Sequence, residues 1–163
     1  MKLISFKNNG KVLLGAVDNG YIHDLHSIDH TIASSMLQFI EGGNEQLDLA
    51  HKAIQGNDPS MDVNDVKLLS PLINPPSVRD AYAFRQHVAT ARRNRGLEMI
   101  PEFDEIPIFY FTNHNAVFGP GNFPVLSKHL EKLDFELECA AVIGKGGRNI
   151  SASKADDHVF GFM

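Results

Sequence analysis

The run Asp134-Phe135-Glu136-Leu137-Glu138 alternates acids with apolar residues. Successive side chains of a β-strand point to opposite faces, so Asp134, Glu136 and Glu138 would share one face and Phe135, Leu137 and Cys139 the other. The segment continues into Ala140-Ala141-Val142-Ile143, which reads as core. Acids lined up on a buried strand repel one another and lose hydration, and a bound cation is the simplest device that stabilises them. Every candidate donor is an oxygen, which points to Mg²⁺, Mn²⁺ or Ca²⁺ rather than zinc. The competing reading is an edge strand whose acids stand in water.

A second group begins at Asp80-Ala81-Tyr82-Ala83-Phe84-Arg85-Gln86-His87. Ala81, Phe84, Val88 and Ala91 recur at helical spacing and Gly96 is a natural stop, so the pattern predicts a helix from Asp80 to about Arg95. On such a helix Asp80 and His87, seven residues apart, look the same way. They are separated along the axis by roughly 10 Å at 1.5 Å per residue. That distance is too long for both to bind one ion. It suits an acid that binds a metal while a histidine works at the other end of a substrate. The plainer readings are an acid favoured by the helix dipole and a partly buried helix histidine.

These residues carry a resemblance. Asp80 and His87 with Arg85-Gln86 between them, the stretch from Tyr110 to Pro120, the Glu136-Leu137-Glu138 run and the ending His158-Val159-Phe160-Gly161 resemble, in order and spacing, the fumarylacetoacetate hydrolase family. The likeness covers Pro71 to Met163, and the opening Met1-Lys2-Leu3-Ile4-Ser5-Phe6 is similar to bacterial members. The resemblance implies an α+β, β-rich fold: a small N-terminal β-meander with helices, then part of a mixed β-roll. It implies that Asp80, Glu136 and Glu138 are metal ligands, that His87 is the general base, and that Tyr82, Tyr110 and Arg85 contact substrate. The implied activity is metal-dependent hydrolysis of a carbon–carbon bond in a β-diketo acid, of fumarylacetoacetate or acylpyruvate type, as in aromatic amino acid catabolism. Magnesium or calcium is the implied ion, with manganese an alternative, and the full-length protein is implied to be a homodimer. Decarboxylation, hydration and isomerisation run on the same chemistry in this family, and a non-catalytic, truncated metal-binding chain is a further alternative. A protonated His87 could not accept a proton, so turnover should fall on acidification.

In relatives the segment like His158–Met163 runs on into a strand bearing a fourth metal ligand, an aspartate. Residues beyond it bind substrate and orient the histidine. The expectation is therefore an N-terminal portion of a longer protein, inactive on diketo acids by itself.

Composition sets wider bounds. The chain has 163 residues, a globular hydrophobic content of 43% and a net charge of −5, which argues against a nucleic-acid footprint. Arg85, Arg92, Arg93 and Arg95 form a local basic group suited to an anionic small molecule or to a solvated face. One cysteine, Cys139, permits no internal disulfide, and no signal peptide or membrane-length apolar run is visible. A cytoplasmic protein is the resulting expectation.

The elements that must position these residues follow from the turn signals. Asn8-Asn9-Gly10 and Asp18-Asn19-Gly20 predict hairpin turns between three strands within residues 1–25. A helix is predicted from about Thr31 to Glu41, and a second from about Glu45 to Gln55 capped by Asn44. Val66–Leu69 reads as extended, and Pro71, Pro75 and Pro76 mark a passage between an N-terminal domain, residues 1–70, and an incomplete catalytic core, residues 71–163. Pro107–Phe111 reads as a strand, 112–121 as a loop and 131–143 as the acidic strand. Phe109, Phe111 and Phe118 read as core, and Lys128, Lys132 and Lys145 as solvated. His23, His26 and His30 lack ligand spacing, and Gly144-Lys145-Gly146-Gly147 lacks the spacing of a phosphate loop.

Overall fold

A computed structural model describes residues 1–163. Its elements in chain order are β1 (Lys2–Asn8), β2 (Lys11–Asp18), β3 (Tyr21–Asp24), α1 (Leu25–Ile28), α2 (Met36–Glu41), α3 (Gly43–Gly56), β4 (Met61–Asp62), β5 (Lys67–Leu68), β6 (Arg79–Ala81), α4 (Arg85–Asn94), α5 (Glu102–Glu105), β7 (Phe109–Phe111), β8 (Ala141–Ile143) and β9 (Val159–Phe162). Two compact units emerge. One comprises Met1–Ile73 with Phe118–Met163, the other Asn74–Val117.

The first unit is organised by an antiparallel sheet of order β4-β3-β2-β1-β5. Its two tight turns form as the Asn-Gly pairs predict. Asn9 and Gly10 stand at φ 47° and 82°, and Asn19 and Gly20 at 49° and 87°. That left-handed pair is what a two-residue hairpin loop matched to strand twist requires. The resulting register sets Leu3 opposite Ala16 and Ile4 opposite Gly15.

Both faces of this sheet are covered. On one face Leu14 and Ala16 pack with Leu25, Ile32, Met36, Phe39, Ile40, Ala50 and Ala53 beneath the helices. On the other, Ile4, Phe6 and Ile22 pack with Met61, Val63, Val66 and Leu68. Gly15 sits where the second face is tightest: a Cβ there would lie 2.8 Å from Ile22 Cγ2, 2.9 Å from Phe6 Cε1 and 3.1 Å from the His23 carbonyl oxygen. The β8–β9 pair joins the first core through Val142 and Phe160. Phe160 meets Phe39 edge-on with ring centroids 6.2 Å apart.

Both predicted helices shift. The first begins only at Met36, because side chains claim the backbone upstream. Asp29 accepts from the Thr31 N–H at 2.8 Å and from its hydroxyl at 2.7 Å. Gln46 accepts from the Ala33 N–H at 2.7 Å and donates to the Thr31 carbonyl at 3.2 Å. Such local bonds compete with the helical ladder. Ser35 then caps the helix. The second helix starts at Gly43 rather than after Asn44: its N-cap is Gly42, which is also the C-cap of α2, and Gly43 at φ 58° turns the chain between them.

In the second unit the predicted helix is shorter than its periodicity suggests. Arg79–Ala81 pair antiparallel with Phe109–Phe111, and the Tyr82 N–H donates to the Ile108 carbonyl at 3.0 Å. Asp80 is therefore a strand residue, and α4 starts at Arg85. Only Val88 of the apolar repeat is deeply buried; Phe84 is the N-cap and is exposed. Gly96 follows the helix at φ 71°, as a stop should.

The acidic strand is also shorter than predicted. Only Ala141–Ile143 pair, and the ladder extends one residue further through reciprocal Ala140–Met163 bonds at 2.9 and 3.0 Å. Residues 133–139 join no ladder and are exposed, Leu137 at 92% and Phe135 at 83%. Period-two alternation says which side chains would share a face once paired, but it supplies no pairing partner. Cys139 is exposed, and of the Ala140–Ile143 run only Val142 packs on the core, Ile143 being 63% exposed. Phe109, Phe111 and Phe118 are likewise exposed rather than core.

Gly15→Ala should destabilise the protein. Removing a glycine from a strand interior is worth about 0.5–1 kcal/mol, whereas overpacking costs about 1–3 kcal/mol, so a net loss is expected. Urea unfolding checks it: a midpoint equal to or above that of the parent would show that Phe6 and Ile22 have room to move.

Candidate metal and proton-transfer residues

Asp80 lies in the middle of β6 and is half-buried. The β6–β7 register sets Tyr110 directly opposite, and the Tyr110 hydroxyl donates to Asp80 Oδ2 at 2.5 Å. Facing residues of an antiparallel pair point to the same side, so this bond follows from the ladder. Because Asp80 is in a strand and His87 in a helix, the helical-face relation between them does not hold.

His87 stands in the first turn of α4 and is exposed. Its ring meets that of Tyr82 with centroids 6.4 Å apart at 65°. Arg85, two residues earlier, is held by Asp104 through Nε–Oδ1 and Nη2–Oδ2 contacts of 2.8 and 3.1 Å. The Asp104 hydrogen bond raises the Arg85 pKa, and the Arg85 bond holds the Asp104 carboxyl below its usual range. Arg79 is a further cation with a defined place, its guanidinium carbon 4.6 Å from the Phe111 ring centroid and 5.8 Å from that of Phe109. Neither Asp104 nor Arg79 stands out in the sequence. The one available signal is the acidic Glu102-Phe103-Asp104-Glu105 run set against the basic group of α4.

Glu136 and Glu138 belong to the first unit. Both are exposed, and Glu138 stands two residues before the point at which Ala140 enters the β8–β9 ladder. Asp134 is engaged locally, accepting from the Phe135 N–H at 2.8 Å. Asp80, in the second unit, carries a carboxylate of the same kind. The donors are hard oxygens without cysteine or histidine, a set that fits Mg²⁺, Mn²⁺ or Ca²⁺. The three N-terminal histidines do not form a second such set. His23 is buried, while His26 Nδ1 bonds the Ile32 carbonyl at 2.6 Å and its ring meets His30 edge-on. Lys128, Lys132 and Lys145 are exposed, and no helix is long and apolar enough to cross a membrane.

Comparison with known proteins extends this picture. Residues 77–163, just over half of the chain, match the family model described as fumarylacetoacetate (FAA) hydrolase C-terminal. The chain belongs to the fumarylacetoacetate hydrolase family. It is 27% identical over 166 residues to the mitochondrial oxaloacetate tautomerase fahd2 of Xenopus laevis, covering 99% of this chain and 50% of that protein. It is 30% identical over 145 residues to the mitochondrial oxaloacetate tautomerase FAHD2A of Homo sapiens, covering 89% and 44%. The chain thus spans about half the length of the curated relatives it matches. Two solved structures share the fold: a putative HpcE protein from Mycobacterium smegmatis, with a TM-score of 0.71 at 19% identity, and a fumarylacetoacetate hydrolase from Exiguobacterium antarcticum, with a TM-score of 0.59 at 23% identity. Each covers 99% of this chain, and the chain covers 53% of each. These likenesses bear out the α+β, β-rich fold class.

The Arg85–Asp104 pair sets a pH dependence. A carboxyl whose folded pKa is depressed contributes stability that is fully present above its unfolded pKa. That contribution is lost as pH falls through the folded value. Asp104→Asn should therefore lower the melting temperature slightly at neutral pH, since exposed pairs contribute little. The gap to the parent should close as pH drops below the ordinary aspartate range. Melting curves from pH 7 to 2 check this, and a gap that widens on acidification would contradict it.

Proposed function

We propose that Asp80, Glu136 and Glu138 hold one divalent cation, Mg²⁺, Mn²⁺ or Ca²⁺, and that His87 moves a proton on a small oxo acid bound beside it. The observation that carries this reading is the all-oxygen donor set. When bound, the ion would act as a Lewis acid on the carbonyl and carboxylate oxygens of the substrate. Tyr82, in edge contact with His87, limits the orientations open to the imidazole. Tyr82, Tyr110 and Arg85 are the side chains proposed to meet the substrate. Arg85 would do so as a cation already fixed by Asp104.

The relatives named as oxaloacetate tautomerases favour keto–enol interconversion of a 2-oxo diacid as the reaction. In that reaction His87 would take a proton from the carbon between the two carbonyl groups, and a proton would be delivered to the carbonyl oxygen. A second reading, hydrolysis of the carbon–carbon bond of a fumarylacetoacetate or acylpyruvate, is favoured by the family description. There His87 would take its proton from water, whose oxygen attacks the distal carbonyl. The bond to the neighbouring carbon then breaks, and that carbon takes up a proton. Both reactions need the same base and the same polarised carbonyl.

The whole protein's organisation is part of the same proposal. Residues 1–70 are read as an N-terminal domain and 71–163 as the first part of the catalytic core, which the family match from residue 77 supports. A homodimer and a reducing, cytoplasmic location are proposed with it. The exposed thiol of Cys139 suits such a compartment, and the vertebrate relatives are named as mitochondrial.

Three variants separate the roles in the full-length protein. Glu136→Gln should weaken Mg²⁺ binding in calorimetry. His87→Ala should leave Mg²⁺ binding intact and reduce turnover by about 10²–10⁴-fold. Oxaloacetate enolisation and acylpyruvate cleavage, both followed by ultraviolet absorbance, decide between the two reactions. Loss of Mg²⁺ binding in His87→Ala would mean that the roles of base and ligand have been confused.

A further inference from the structure

We infer that Tyr110 is a positioning residue for the metal ligand Asp80, acting through its hydroxyl. This rests on the reading of Asp80 as a ligand. Asp80 and Tyr110 are directly paired across β6 and β7, flanked by the Arg79–Phe111 and Ala81–Phe109 pairs. The Tyr82 N–H to Ile108 carbonyl bond and the Thr112 N–H to Val78 carbonyl bond, 3.0 and 3.2 Å, extend the pairing on both sides. The backbone carrying both side chains is therefore held at five successive positions, Val78 to Tyr82.

An aspartate side chain on a strand is free to rotate about two bonds. The Tyr110 hydroxyl removes much of that freedom by donating to Oδ2. A hydroxyl donor to a carboxylate is a charge-assisted bond, among the stronger kinds. With Oδ2 engaged by a protein donor, the carboxylate is held in one orientation, and Asp80 would offer the ion an oxygen ligand of defined direction. A tyrosine suits this task because its ring carries the hydroxyl across the strand gap with only two rotatable bonds of its own. Arg79 stacks on the Phe111 and Phe109 rings and donates through Nη1 to the Ser77 hydroxyl oxygen at 3.1 Å, so the neighbouring cation is directed elsewhere. Tyr110 is thus the group that orients Asp80 within this unit.

Hydrogen-bond partners of metal ligands typically contribute 10–100-fold to metal affinity. The test uses the full-length protein, stripped of divalent ions with a chelator and titrated with Mn²⁺ alone by calorimetry. Tyr110→Phe keeps the ring and deletes the hydroxyl; it should weaken Mn²⁺ by about 10–100-fold while leaving the melting temperature of the metal-free protein unchanged. Asp80→Asn should weaken Mn²⁺ in its own right, and adding Tyr110→Phe to it should cause no further loss. An unchanged Mn²⁺ affinity in Tyr110→Phe overturns the inference, as does an equal loss in the parent and Asp80→Asn backgrounds. If Glu136→Gln and Asp80→Asn both lose Mn²⁺ while Tyr110→Phe does not, the metal reading stands and only the positioning role falls. A parent that binds no Mn²⁺ would remove both.

Discussion

A sheet that is apolar on both faces has to be covered twice, and most of the first unit follows from that requirement. Phe6 and Ile22 on one face and Leu14 and Ala16 on the other are all essentially fully buried. The helices α2 and α3 cover one face, and the short segment from Met61 to Leu68 covers the other. Burial of such side chains is the main favourable contribution to folding a domain of this size. The cover also determines where the acidic stretch is tethered. Phe160 packs on Phe39, and Gly144 lies so close to Phe160 and Ile40 that a Cβ would stand 2.8 and 3.4 Å from them. The β8–β9 pair is fastened to the same core, and Glu138 is attached to that pair two residues before Ala140. The placement of the glutamates thus depends on the core beneath the helices as much as on their own sequence.

Asp80 depends on a different constraint. Its position is set by the three-residue ladder between β6 and β7, which places a phenol opposite a carboxylate. The same ladder brings Arg79 onto two phenylalanine rings and leaves α4 to begin only at Arg85. The helix that carries His87 is tied back to the unit by the exposed Arg85–Asp104 pair. An exposed pair contributes little to stability. Its consequence is geometric, since it fixes a guanidinium two residues before the candidate base.

The proposed chemistry is compatible with more than one reaction. Polarising a carbonyl flanked by a carboxylate makes the neighbouring carbon more acidic, and a histidine nearby can accept the proton. Whether that leads to enolisation or to attack by water depends on what else reaches the distal carbonyl. In the proposed reading Asp80, His87, Glu136 and Glu138 would serve both outcomes equally. The donor set therefore carries information about the ion and the substrate class, and much less about the reaction that follows.

The hairpin turns, the strand meander and the family membership were legible in the residues alone. Asn-Gly pairs select a local backbone geometry, and the spaced motifs around Asp80, His87 and Glu136-Leu137-Glu138 are individually weak but jointly specific. The helix boundaries were not legible, because Asp29, Gln46 and Ser35 claim backbone groups through contacts that span up to fifteen residues. Nor could periodicity assign Asp80 to a strand. Ala81, Phe84, Val88 and Ala91 fit a helical stripe, yet pairing of Arg79–Ala81 with a segment thirty residues beyond Asp80 prevailed, because backbone ladder bonds and the side-chain pairs across them outweigh a weak local propensity. Alternation identified which acids would share a face at 134–138, but it could not supply a partner strand. Residue identities establish which atoms are available as ligands and base. Their orientation, above all the Tyr110 hydroxyl turned on Asp80, comes from tertiary pairing, since a hydrogen bond between residues thirty apart exists only when the folded chain brings them together.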